Sequence, residues 1–193
     1  MIITQTPLRI SFVGGGTDFR DFYRVQTGEV LSTAIDKYVY VIIKERYDSK
    51  IYINYSKKEI VNCVDEIEHE LIREAMRKTG VTQRIEITTL ADIPAHGSGL
   101  GSSSCVTVGV LNTLYAYQGI SKTAETLAQE ACEIEIERLR KPIGKQDQYI
   151  AAYGGLKHIQ FRSDESVIVE SIPISEETKR KLNTNTLLFY TGI

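Results

Sequence analysis

Along the chain, stretches dominated by Ile, Val, Tyr and Thr give way to stretches in which apolar positions recur every three or four residues. Residues 2–13 and 30–46 are of the first kind and predict strands, and Ile51, Ile53 and Tyr55 alternate with polar neighbours in a shorter one. From Glu66 to Lys78 the apolar residues Ile67, Leu71, Ile72 and Met76 fall at helical spacing, with Gly80 as a stop. Alternation returns from Arg84 to Leu90. A glycine- and serine-rich loop over 94–104 then leads into an apolar helical run ending near Gln118, and a second helix is predicted over about 122–140. Strands near 156–161, 166–172 and 186–191 complete the pattern, with a helix at 175–183 between the last two. Helices and strands mix without strict βαβ alternation, so the predicted class is α+β. No repeat, low-complexity tract or linker divides the chain, and one compact unit is the simplest parse.

Composition narrows the function classes. A hydrophobic share of 42% over 193 residues is enough for a real core. Lys and Arg number 23 against 25 Asp and Glu, so no overall field gathers a polyanion; a nucleic-acid partner is not expected, and a small, locally bound substrate is. The three cysteines, Cys63, Cys105 and Cys132, are widely spaced, with no CxxC pair, and predict reduced thiols in a cytoplasmic protein. Residues 1–6 carry no charged-then-apolar leader, and no run approaches the roughly 18 apolar residues of a membrane span. The expectation is a cytoplasmic protein without membrane contact; self-association is left open.

The most informative stretch is Pro94-Ala95-His96-Gly97-Ser98-Gly99-Leu100-Gly101-Ser102-Ser103-Ser104, which sets three glycines and four serines between a predicted strand and a predicted helix. Glycines let the backbone approach a phosphate without a Cβ clash, and free N–H groups at a helix start point at negative charge. No GK[ST] follows, and GxGxxG order is missing, so neither a Walker loop nor a dinucleotide fingerprint is present. Composition alone leaves phosphate binding and an ordinary serine-capped turn equally open.

The order of residues adds more. This stretch resembles the PxxxGLGSSA signature of the GHMP kinases. Pro7-Leu8-Arg9-Ile10-Ser11-Phe12-Val13-Gly14-Gly15-Gly16-Thr17-Asp18 is similar to that family's N-terminal substrate motif, and Gly144-Lys145-Gln146-Asp147-Gln148 to the segment carrying its catalytic aspartate. The GGGTD ending, the HGSGLGSSS loop and GKQDQ followed by Ala151-Ala152-Tyr153-Gly154-Gly155 most resemble the members that act on heptose 7-phosphate. Ser104 stands where the family usually has alanine. The resemblance implies a GHMP kinase N-terminal domain over 1–185, a mixed sheet packed against helices, with 186–193 the start of a largely missing C-terminal domain. It also implies ATP and Mg²⁺ as cofactors and a sugar phosphate as substrate, phosphorylated at O1. A fucose or galactose kinase, a noncatalytic nucleotide- or sugar-binding module and an inactive fragment are the alternatives.

Carried over residue by residue, the resemblance implies that Pro94, Gly97, Ser98, Gly99, Leu100, Gly101, Ser102, Ser103 and Ser104 hold the nucleotide phosphates. It implies that Ser103 and Glu135 hold the metal, and that Asp147 accepts or orients the attacking hydroxyl proton, with Arg9 offsetting developing charge. Arg9, Gly16, Thr17, Asp18, Gly144, Lys145 and Asp147 are the expected substrate contacts, Lys145 for a second phosphate. The residues themselves bear on one choice among Glu133, Glu135 and Glu137. At about 100° per residue Glu135 lies near the centre of the face formed by Ala124, Leu127, Ala128, Ala131, Ile134 and Arg138. A carboxylate there calls for a cationic partner, such as Arg138, or a metal. Read without the resemblance, Asp147 would as readily cap a short helix, Asp18 would cap one beginning near Phe19, Arg9 would be a strand-surface arginine, and His96 is a packing residue.

Overall fold

The computed structural model describes residues 1–93 and 98–189; the expectations placed on Pro94, His96 and Gly97 lie outside the described residues. Two long strands organise it. β1 (Ile2–Val13) and β2 (Gly28–Glu45) run antiparallel along most of their length. β2 also pairs with β5 (Ile85–Ala91) through Val39–Glu45 and with β6 (Leu156–Phe161) through Gly28–Thr33. β3 (Ile51–Asn54), β4 (Lys58–Val61) and β7 (Val167–Ser171) complete a seven-stranded sheet of order β4-β3-β5-β2-β6-β7, with β1 on β2. All of its pairings are antiparallel except β3 with β5.

One helix carries the core. α3 (Ser102–Tyr117) buries ten of its sixteen residues, so it is apolar all round rather than amphipathic. It packs on β1 and β2 and is flanked by α2 (Glu70–Thr79), α4 (Ala124–Cys132) and α5 (Gln146–Tyr153). Gly109 permits the close approach to the sheet: a Cβ there would sit 2.8 Å from Thr6 Oγ1 and 3.0 Å from a Val41 methyl. Val39, Val41, Ile43, Ile85 and Ile87 meet Cys105, Val108, Leu111 and Leu114 in the main core. The N-terminus of α3 is thereby fixed against the middle of β1.

Several expectations are corrected. The helix expected from Glu66 begins at Glu70, because Val64–Glu66 forms a separate 3₁₀ turn and His69 caps the start of α2; Gly80 does end it, at φ +74°. The helix expected over 122–140 changes pitch, with α4 passing into a π-helical turn at Glu133–Arg138. Phe19, not Asp18, is the N-cap of the short α1 (Arg20–Tyr23), because the Asp18 carboxylate is engaged elsewhere. Of the strand expected near 186–191, the part at 186–189 has no regular structure, with Leu187, Leu188 and Phe189 exposed and, among the described residues, no strand pairing with it. The helix before it is α6 (Glu176–Asn185). β4 was not anticipated, and α1 and α5 were foreseen only as the short helices that Asp18 or Asp147 would cap; Lys145, not Asp147, is the N-cap of α5.

Candidate active site

Arg9 lies on β1 beneath the start of α3. Its Nε donates to Asp147 Oδ1 at 2.7 Å and its Nη2 to Asp147 Oδ2 at 2.9 Å, a bidentate pair, while Nη1 donates to the Gly99 carbonyl at 2.6 Å. The Arg9 backbone N–H adds a bond to the Leu100 carbonyl at 3.2 Å. One arginine thus joins the β1 backbone, the glycine loop and the first turn of α5. Gly101, at φ +78°, sits against the same carboxylate: a Cβ there would be 3.1 Å from Asp147 Oδ2. Side-chain exposures of 13% for Arg9 and 26% for Asp147 leave the carboxylate within reach of a ligand.

The first turn of α3 is built for an anion. Gly99 and Gly101 take left-handed backbone conformations that glycine adopts readily. Gly101 is the N-cap, no side chain caps the helix and no acid lies in its first turn, so the N–H groups of the first turn are open to a ligand. Ser98 donates no such cap; its hydroxyl accepts from the Leu100 N–H at 3.3 Å. Ser102 and Ser103 line a neighbouring cavity of about 630 Å³ whose other walls include Val39, Leu71, Leu90, Ile93 and Val106. An anionic chain at the helix start with an apolar ring in the cavity fits this shape. Among the described residues expected to hold phosphate, Leu100 and Ser104 are buried, and the Ser104 hydroxyl is turned inward to Glu135.

Glu135 is fully buried, whereas Glu133 and Glu137 are not. Its partners are neutral: Ser104 Oγ donates at 2.8 Å, Gln148 Nε2 at 2.9 Å, and Thr107 Oγ1 donates to the other oxygen. Burial pushes the Glu135 carboxyl above its ordinary pKa, and the bonds from Thr107, Ser104 and Gln148 oppose that shift. The expectation of a cationic partner is therefore corrected: among the described residues three neutral donors meet the carboxylate. Arg138 pairs instead with Glu133 at 2.7 Å and Glu74 at 3.7 Å. Ser103 is not a partner of Glu135; its side chain is exposed and its carbonyl accepts from Thr107. Ser103 and Glu135 share no hydrogen bond; Glu135 Oε2 takes two hydrogen bonds and Oε1 one, which leaves Oε1 a further acceptor site.

The glycine turn after β1 is clipped to the start of α5 by Asp18, which is buried. Oδ1 accepts from the Gly16 N–H at 3.1 Å and Oδ2 from the Gln146 N–H at 3.0 Å. Gly144 is required for that approach, since a Cβ would fall 2.0 Å from Asp18 Oδ2. Ser11 Oγ donates to Gln146 Oε1 at 2.6 Å, bringing β1 to the same point. Gly16, Asp18, Gly144 and Asp147 are thus brought together around the first turn of α5. Thr17 is not among them, its hydroxyl donating to the Gly14 and Glu29 carbonyls. Lys145 also turns away: its Nζ meets Glu165 Oε2 at 2.8 Å and lies 4.7 Å from the Tyr23 ring centroid. Its pKa stands above the ordinary value because Glu165 and Tyr23 outweigh burial, which alone would lower it. Ser11, Thr107, Gln146 and Gln148 were missed; the two glutamines flanking Asp147 were the one available signal.

The family profile described as GHMP kinases N terminal domain matches residues 54–155. The chain is 32% identical to the D-glycero-alpha-D-manno-heptose 7-phosphate kinase of Campylobacter jejuni, over 100% of this chain and 60% of that protein. It is 27% identical to the galactokinase of Thermotoga maritima over 90% of this chain and 49% of the relative. A solved structure of a D-glycero-D-manno-heptose 1-phosphate kinase from Bacteroides thetaiotaomicron superposes with a TM-score of 0.88 at 29% identity, covering 94% of this chain and 63% of the other. The chain therefore spans about 60% of the length of the heptose phosphate kinase it matches.

Proposed function

The chain belongs to the GHMP kinase family, and on that premise we propose that the protein transfers the γ-phosphoryl group of ATP to a sugar hydroxyl, with O1 of D-glycero-D-manno-heptose 7-phosphate as the acceptor and the 1,7-bisphosphate as product. The observation that carries the reading is the Arg9–Asp147 pair lying against Gly101 at the open start of α3. The phosphates of ATP would rest on the first turn of α3, their charge met by the N–H groups of Ser102 and Ser103. The base would enter the cavity lined by Val39, Leu71, Leu90 and Val106.

The acceptor hydroxyl would donate to Asp147. A loose phosphoryl-transfer transition state needs orientation of the nucleophile more than early removal of its proton. Asp147 therefore orients the hydroxyl and receives its proton late, while Arg9 holds the carboxylate in place and offsets charge on the transferring group. Magnesium, expected alongside ATP, would be held by Ser103 and by Glu135, whose Oε1 accepts one bond only, from Thr107, and would offset phosphate charge; no step is assigned to it.

A panel of sugars assayed for ADP release by the intact protein tests the reading. Turnover with heptose 7-phosphate well above that with galactose or fucose supports it; preference for galactose or fucose would replace the substrate. The second outcome has a specific observation behind it, since Lys145, the expected contact for a second phosphate, is committed to Glu165, and the chain is also 27% identical to an L-fucokinase/L-fucose-1-P guanylyltransferase of Bacteroides fragilis, over 98% of this chain and 24% of that protein.

A further inference from the structure

The cavity beside the start of α3 has one wall that no motif announces. Lys141 lines it, together with Ser102 and Ser103. Its backbone N–H donates to the Glu135 carbonyl at 2.9 Å, so the residue is tied to the π-helical turn that also sets Glu135 against Ser104. Its ammonium reaches Glu70 Oε1 at 2.8 Å, and that glutamate is about half exposed. Resting on the nucleotide reading above, we propose that Lys141 grips the phosphate chain of the bound nucleotide, with Glu70 as the partner it leaves when the nucleotide arrives.

Three observations carry this. Among the described residues that line the cavity, Lys141 is the sole lysine or arginine. His69, which also lines it, is held toward its neutral form by burial and supplies no charge there. Of the cavity's two glutamates, Glu68 is paired with Lys57, and Glu70, about half exposed, is left to solvent when Lys141 turns to the phosphates. The exchange is also cheap. An exposed lysine–glutamate pair contributes little, whereas a polyphosphate brings several charged acceptors to one ammonium on a flexible stem.

The test is equilibrium binding of ATP, ADP and adenosine to the intact protein at fixed ionic strength. Lys141→Met weakens ATP and ADP by about tenfold and leaves adenosine within about twofold of wild type, as loss of one charge-assisted hydrogen bond requires; Lys141→Arg recovers most of the loss. Glu70→Gln binds ATP at least as tightly as wild type, because it frees the ammonium. Unchanged ATP affinity in Lys141→Met overturns the proposal, and so does an equal loss for ATP and adenosine, which would make Lys141 only part of the wall. Val106→Trp fills the cavity and separates this from the parent reading. Undiminished ATP binding in that variant removes the nucleotide from the cavity and ends both, while lost binding there beside an unaffected Lys141→Met ends the lysine assignment alone.

Discussion

Arg9 uses three guanidinium nitrogens on two targets, the Asp147 carboxylate and the Gly99 carbonyl. Lysine can place a charge there but not that planar fork. Arg9→Lys should keep the fold and lower kcat by about tenfold or more, read from ADP release, because Asp147 and the glycine loop lose their common tether. Glu135 makes the opposite kind of test. Its three neighbours all donate, so an amide at this position sets an N–H₂ against donors. Glu135→Gln should destabilise by about 1–3 kcal/mol, measured by urea unfolding. A variant as stable as wild type would mean that the carboxylate is held differently.

At the scale of elements, the start of α5 is the joint. Asp18 and Gln146 couple it to the glycine turn, Arg9 couples Asp147 to β1, and Gln148 couples it through Glu135 to α3. Gly144→Ala would drive a methyl to 2.0 Å from Asp18 Oδ2. The expected result is a raised KM for the sugar and a lowered Tm, with ATP binding largely kept because α3 is untouched.

The tip between β6 and β7 is pinned separately, by Glu165 on Lys145, Tyr23 and Arg24. Burial would raise the pKa of Glu165, but Lys145, Tyr23 and Arg24 bring it from 4.5 down to about 2. A carboxylate whose pKa is depressed on folding stabilises above its unfolded value and loses that contribution as pH falls through the folded one. Between pH 4.5 and about 2 the wild type should therefore lose more stability than Glu165→Gln, a difference that melts across that range would show. Because Glu165 is about a third exposed, the difference should be modest and shrink with salt.

Across the whole molecule, the long strands, α3 and the loop were legible because burial imposes periodicity and glycines mark turns. Glu135 was distinguishable from Glu133 and Glu137 by its helical face even though the turn is π-helical. Its neutral partners were not legible, since Ser104 and Thr107 come from another helix and hydroxyls carry no charge signal. The extent of α5 was not legible beyond a short helix at Asp147, because its buried face includes Gln146 and Gln148, polar residues that apolar periodicity does not register. The Lys145–Glu165 pair was not legible because Glu165 sits on a distant hairpin tip. What the sequence could not supply was convergence, and there the structure brings Arg9, Gly101 and Asp147 to one point.

That convergence is tested most directly by single-turnover transfer from γ-labelled ATP to the sugar in the intact protein, with Asp147→Asn beside wild type. The account predicts that the variant binds ATP as wild type does and transfers phosphoryl about 10²–10⁴ times more slowly. Transfer at the wild-type rate would contradict it.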